Sequence, residues 1–132
     1  MAQERKRVAS GSPFEASIGF SRALRVGNRV LVAGTAPVWP DGSCDPDPGQ
    51  QARRCLEIIV TALAEAGATP EDVVRTRTFL TEASYWEAVG EAHGEVFRDV
   101  RPVSTMVVAG GLLDPRWKVE IEAEAVIDDS AS

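Results

Sequence analysis

The segment from Lys118 to Ile127 constrains this chain more than any other. Val119, Ile121, Ala123, Ala125 and Ile127 alternate there with Lys118, Glu120, Glu122 and Glu124. Successive side chains of a strand point to opposite faces, so the pattern predicts a strand with one apolar and one charged face. A sheet built on it needs a second layer over the apolar side.

Upstream segments supply that layer. Asp47 opens a predicted helix, with Pro48 in its first turn and Gln50 three residues on, a capping-box arrangement. Ala52, Cys55, Leu56, Ile59, Leu63 and Ala66 follow at helical spacing, and Gly67 is placed to stop the helix. A second helix is predicted from Ser84, with Glu87 completing another capping box and Trp86, Val89, His93, Val96 and Phe97 along one side. Residues 22–26 and 29–33 alternate with a period of two around Gly27-Asn28, which suits a two-residue hairpin turn. Pro37, Pro40, Asp41, Gly42, Pro46 and Pro48 mark a loop. A capped turn at residues 69–72 leads into a strand over 73–80, and residues 104–109 read as a further strand.

The order is hairpin, helix, strand, helix, strand, strand: an α+β architecture with two helices on one face of a mixed sheet. Residues 1–12 read as a loose polar end, 13–127 as a single domain and 128–132 as a tail. A domain of this size leaves the other face of its sheet uncovered, so self-association is expected.

An apolar fraction of 44% and a charged fraction of 26% describe a soluble globule. No run is apolar enough for a membrane span and no secretory pattern is present, so the expected compartment is the cytoplasm. A net charge of −6 repels phosphate backbones, which argues against a nucleic-acid partner; Arg5-Lys6-Arg7 is the one basic cluster. Cys44 and Cys55 match no zinc or redox spacing, and Cys55 falls on the apolar helix face as a buried free thiol. A single histidine excludes a His-rich metal site, and no metal is expected.

Several segments then carry a family resemblance. They are Ile18-Gly19-Phe20, the hairpin from Gly27 to Gly34, Gln51-Ala52-Arg53 at the head of the first helix, Pro102-Val-Ser-Thr-Met-Val107, and Val119-Glu-Ile-Glu-Ala123. In this order, across residues 13 to 127, they resemble the RidA (YjgF/YER057c/UK114) superfamily. The resemblance implies a chorismate-mutase-like fold, a homotrimeric barrel and ligand clefts between subunits. It also implies hydrolysis of reactive imines and enamines such as 2-aminoacrylate, without a metal or organic cofactor. In the archetype an arginine two residues after the proline holds the substrate carboxylate, a cysteine follows two residues later, and the first glutamate of Glu-Ile-Glu prepares water. Carried onto this chain, Glu120 is the catalytic candidate. Phe20, Gly34, Thr35, Ser104, Thr105 and Met106 are the substrate-contact candidates, joined by Arg77 and Arg116 as available cations.

The chain departs from that pattern where the chemistry lies. Ser104 stands at the arginine position and Met106 at the cysteine position, and the stretch from Ser104 to Glu120 is one residue longer. A serine hydroxyl does not reproduce the bidentate grip of a guanidinium on a carboxylate. Arg77, Arg101 and Arg116 are open to three readings: ion-pair partners of the glutamate face, a replacement anchor, or bystanders to a substrate with no carboxylate. Glu120 is either solvated beside Glu122 and Glu124 or buried enough to raise its pKa into the range of a general base. His93 reads as a packed helix histidine, Trp86 and Phe97 as core, and Trp39 and Trp117 as loop residues beside the cleft segments. Nothing near Cys44 activates its thiol. The leading functional expectation is a RidA-type hydrolase of a small imine-like metabolite. The alternatives are a non-catalytic small-molecule receptor and a tailoring or cyclisation enzyme of secondary metabolism, with ribonuclease activity ranked below them.

Overall fold

A computed structural model describes residues 4–128. Six strands form one sheet: β1 (Arg5–Val8), β2 (Ala23–Val26), β3 (Arg29–Thr35), β4 (Val73–Leu80), β5 (Val103–Val108) and β6 (Val119–Val126), in the spatial order β1-β2-β3-β6-β4-β5. The last strand in sequence is therefore interior, antiparallel to β3 on one side and to β4 on the other. Its alternation is used as expected: Val119, Ile121, Ala123 and Ala125 are buried, while Glu120, Glu122 and Glu124 are half-exposed on the opposite face.

Two helices, α1 (Pro48–Glu65) and α2 (Trp86–Phe97), cover the apolar side. In α1 the Asp47 carboxylate accepts a hydrogen bond from the Gln50 N–H at 2.9 Å, and Gly67 past its end adopts φ +89°, a conformation that costs glycine little. Between these stops Cys55, Leu56, Ile59 and Leu63 are fully buried against β3 and β6. β4 and β5 run parallel, which requires a crossover connection, and α2 provides it. No helix among the described residues is long and apolar enough to cross a membrane.

Three expectations are corrected. Residues 5–8 are not a loose end but an edge strand, paired antiparallel with β2 through Arg5–Val26 to Val8–Ala23. Composition hides this because the strand buries only Val8, and its main chain makes the pairing. The Ser84 capping box does not form: a short turn at Ala83–Tyr85 precedes α2, and no side chain caps that helix. Trp86 is 59% exposed rather than core, because Tyr85 from that turn packs on the core in its place. Residues 1–3 and 129–132, which include most of the expected tail, lie outside the described residues.

One buried polar side chain ties the long loops to this core. Gln51, with no exposed surface, donates from Nε2 to the carbonyls of Asp45 (2.8 Å) and Arg116 (3.0 Å). Its Oε1 accepts from the Lys118 N–H at 2.7 Å. The amide thus closes the loop before α1 onto the loop before β6. Replacement by leucine leaves the Lys118 N–H without its partner and the two carbonyls with only the weak Cys44 thiol contacts at 3.8 and 3.9 Å; one unpaired buried group costs on the order of 1–3 kcal/mol. Gln51→Leu is expected to lower unfolding free energy by about 2–4 kcal/mol in urea titration.

Candidate functional site

The charged face of β6 meets an irregularity in β3. The β3–β6 register shifts between Val32 and Thr35, and Gly34 lies in that shift. A Cβ on Gly34 would collide with Glu120 Oε1, so the carboxylate lies directly against bare backbone. That contact half-buries Glu120. Burial pushes its pKa above the ordinary carboxylate value, Glu122 adds to the rise, and the positive charge of Arg22 opposes both.

Arg22 was not anticipated from sequence. Its Nη2 donates to the Gly34 carbonyl at 2.7 Å, and its guanidinium carbon lies 5.8 Å from the centroid of the Phe20 ring. Its Nε is buried and has no hydrogen-bond partner among the described residues. Burial lowers the Arg22 pKa, while Glu15 and Glu120 counter that effect, and an arginine remains charged at neutral pH. Glu15 is in turn held by Ser10, whose N–H and hydroxyl both donate to it. Phe20, Arg22, Gly34 and Glu120 therefore form one cluster: a carboxylate of raised pKa, a cation, an aromatic face and an open stretch of backbone. The available sequence signal was the Phe20-x-Arg22 spacing, which sets both side chains on one side of an extended segment.

The other candidates are placed as follows. Thr35 is fully buried and its hydroxyl donates to the Ala33 carbonyl at 2.8 Å, so it faces the core rather than a ligand. Arg77 pairs with Glu122 at 3.0 Å and Glu124 at 3.5 Å, the ion-pair reading of that arginine. These residues line a shallow concavity of about 200 Å³ on the open face with Leu31 and Arg75. Arg116 is held by Asp114 at 2.9 Å and by the Gly42 carbonyl at 3.2 Å. Arg101 is exposed, with φ +58°. Neither Arg77 nor Arg116 is a free cation beside Glu120. Cys55 is a buried free thiol, its pKa raised by burial, and Cys44 is free and half-buried.

Ser104, Thr105 and Met106 lie on β5, two strands away. Phe79 is opposite both Glu120 and Val107, and Thr76 is opposite Ser104. Strand spacing of about 4.8 Å and a rise of about 3.3 Å per residue then separate Ser104 from Glu120 by about 10 Å across the sheet and about 10 Å along it. Ser104 shares the helix-side face with Thr76, to which it is hydrogen-bonded at 2.9 Å, whereas Glu120 is on the open face. Within one chain the two halves of the expected site do not meet.

Fold and cluster together define a known class, and comparison with known proteins agrees. The profile of the endoribonuclease L-PSP family matches residues 11–127. Protein SCO2049 of Streptomyces coelicolor is 45% identical over 121 residues, covering 91% of this chain and 90% of that protein. A RutC family protein of Pyrococcus abyssi is 33% identical over 109 residues, covering 81% and 84%. Among solved structures, Rv2704 of Mycobacterium tuberculosis, of the YjgF/YER057c/UK114 family, superposes with a TM-score of 0.87 at 45% identity, covering 94% of this chain and all of that one. The chain belongs to this L-PSP (RidA/YjgF) family.

Because the folded-state pKa of Glu120 is raised, its protonated form favours folding and its ionised form opposes it. The favourable contribution is present below the ordinary glutamate pKa and is lost as pH rises through the raised one. Glu120→Gln, which stays neutral, is expected to have a higher urea midpoint than the unmodified chain at neutral pH. That advantage shrinks as pH falls to about 4.

Proposed function

We propose that this protein is a RidA-type small-molecule enzyme that hydrolyses a reactive imine, enamine or related carbonyl-derived metabolite in a cleft between copies of the chain. The observation that carries this reading is the half-buried Glu120 carboxylate, raised in pKa and laid against Gly34 beside the Arg22 cation. A carboxylate so placed is a stronger base than an exposed one. Glu120 takes a proton from water as its oxygen adds to the C=N carbon and passes that proton to the nitrogen. The hydroxyl proton of the resulting carbinolamine then moves through Glu120 to the nitrogen as the C–N bond breaks, which releases ammonia, leaves the carbonyl product and returns Glu120 to its ionised form. Arg22 supplies the positive charge for a substrate carboxylate, the role that Ser104 is too short and neutral to fill.

The distance between Ser104 and Glu120 in one chain supports a site shared between copies, and a homotrimer in the cytoplasm is the assembly we propose. β5 is an outer edge with Val103, Val107 and Val108 exposed, a surface suited to contact with another copy. The family name includes a ribonuclease, but a net charge of −6 and a glutamate-lined open face favour a small ligand over RNA.

Ammonia release from freshly generated imines, one series bearing a carboxylate and one lacking it, tests the proposal. Turnover is expected in at least the carboxylated series, falling about 100-fold or more in Glu120→Gln. Arg22→Gln is expected to raise KM for the carboxylated series about tenfold, with little effect on the other. Sedimentation equilibrium is expected to give three times the chain mass. Silence of a folded oligomer in both series would transfer the assignment to a non-catalytic receptor, a reading favoured by Ser104 at the archetype's arginine position.

A further inference from the structure

The basic cluster Arg5-Lys6-Arg7 lies on β1, apart from the site around Glu120, and Lys6 is directly opposite Arg25 of β2. Both side chains cross to the end of α1 and bind consecutive carbonyls. Lys6 Nζ donates to Glu65 at 2.6 Å, and Arg25 Nη1 donates to Ala66 at 2.9 Å. Like charges directly opposite one another in a sheet repel and destabilise the pair. Among the described residues Lys6, Arg25 and Arg5 have no ion-pair partner. We propose that these cations form a binding site for the phosphoryl group of a small organic phosphate.

The end of α1 does not use up their charge. A helix C-terminus carries about half a negative charge, whereas Lys6 and Arg25 bring two positive ones. The preceding carbonyls are already occupied: those of Ala62, Leu63 and Ala64 accept from the N–H groups of Ala66, Ala68 and Gly67. Arg25 Nε donates to the Gly27 carbonyl at 2.8 Å, while its Nη2 has no protein partner among the described residues. A Cβ on Gly67 would lie 2.7 Å from Arg25 Nη1, so the guanidinium reaches its carbonyl over bare backbone. Both cations are therefore held in place before a ligand arrives, which lowers the entropic cost of binding.

A cavity of about 680 Å³ opens beside them, between β1, the β2–β3 turn and the end of α1. Its volume is within the range of about 300–1,000 Å³ usual for small-molecule sites, so an organic body fits beside the phosphoryl group. Arg5 lines it as well, and Ala64, Ala66 and Gly67 supply a wall of small residues. A phosphomonoester carries nearly two negative charges at neutral pH and three acceptor oxygens, which suits two fixed cations with a third nearby. Glu4 and Glu65 also line the cavity, so three cations and two carboxylates leave its lining at a net +1. Those carboxylates oppose the anion, and removing one strengthens binding. Arg25 is opposite Val30, and Gly34 lies four residues further along β3, about 13 Å away, so this cavity is separate from the Glu120 cluster.

Phenyl phosphate, titrated at pH 8 where it is a dianion, tests the site by two-dimensional amide NMR of the full chain. Saturable shifts are expected at the Gly27 and Gly67 amides. Benzenesulfonate, a monoanion of similar shape, and inorganic phosphate are each expected to bind about tenfold more weakly. Lys6→Gln, at an exposed edge position, is expected to raise Kd about tenfold, and Glu65→Gln to lower it about threefold. Arg25→Gln removes a helix cap as well as a ligand contact, so Lys6→Gln is the deciding variant. No saturable shifts, shifts confined to other residues, or an unchanged Kd in Lys6→Gln overturns the site. Equal affinity for benzenesulfonate overturns the assignment to phosphate, and equal affinity for inorganic phosphate overturns the organic body. The readout is binding alone, so its failure is distinct from a failure of ammonia release.

Discussion

The sheet is organised around the contact of β6 with both of its neighbours. A strand in the interior makes hydrogen bonds along both edges, so its register fixes the positions of β3 and β4 at once. The buried residues of β6 take their places under α1, and the glutamates take the other face. Helix capping, the Gln51 bridge and the Arg77 ion pairs act on a frame that this strand has already set. The site uses the same frame: Glu120 is held against Gly34 because the β3–β6 register slips at that point.

Sequence reading was most successful where the determining interactions are local. Asp47, Pro48 and Gly67 bound α1 through hydrogen bonds and dihedral preferences that span a few residues. β6 and the β2–β3 hairpin declared themselves by alternation. Features decided by tertiary contact were hidden. β1 is held by main-chain pairing with residues some twenty positions away, a contact that side-chain composition does not encode. Trp86 is displaced from the core by Tyr85, a competition settled by packing rather than by helical phase.

The same division runs through the candidate site. Glu120, Gly34 and Phe20 were legible from motif and resemblance, and the fold brings them together. Arg22 was not, because its relevance depends on which carbonyl it reaches across the β2–β3 hairpin. Arg77 and Arg116 were attractive as free cations in sequence, yet each already has carboxylate partners in space. Thr35 sits next to the site in the chain and faces away from it.

The alternation of β6 also limits how this protein can change over evolutionary time. One set of side chains in the strand holds the core and the interleaved set carries the carboxylates. Substitution can adjust either set separately. Insertion or deletion of a single residue would exchange them, driving glutamates among the helices and valines onto the open face. Changes in length are therefore confined to the connecting segments. The loop between β5 and β6, where Leu113 is 94% exposed, is free to lengthen and alter the site's surroundings without disturbing its carboxylate.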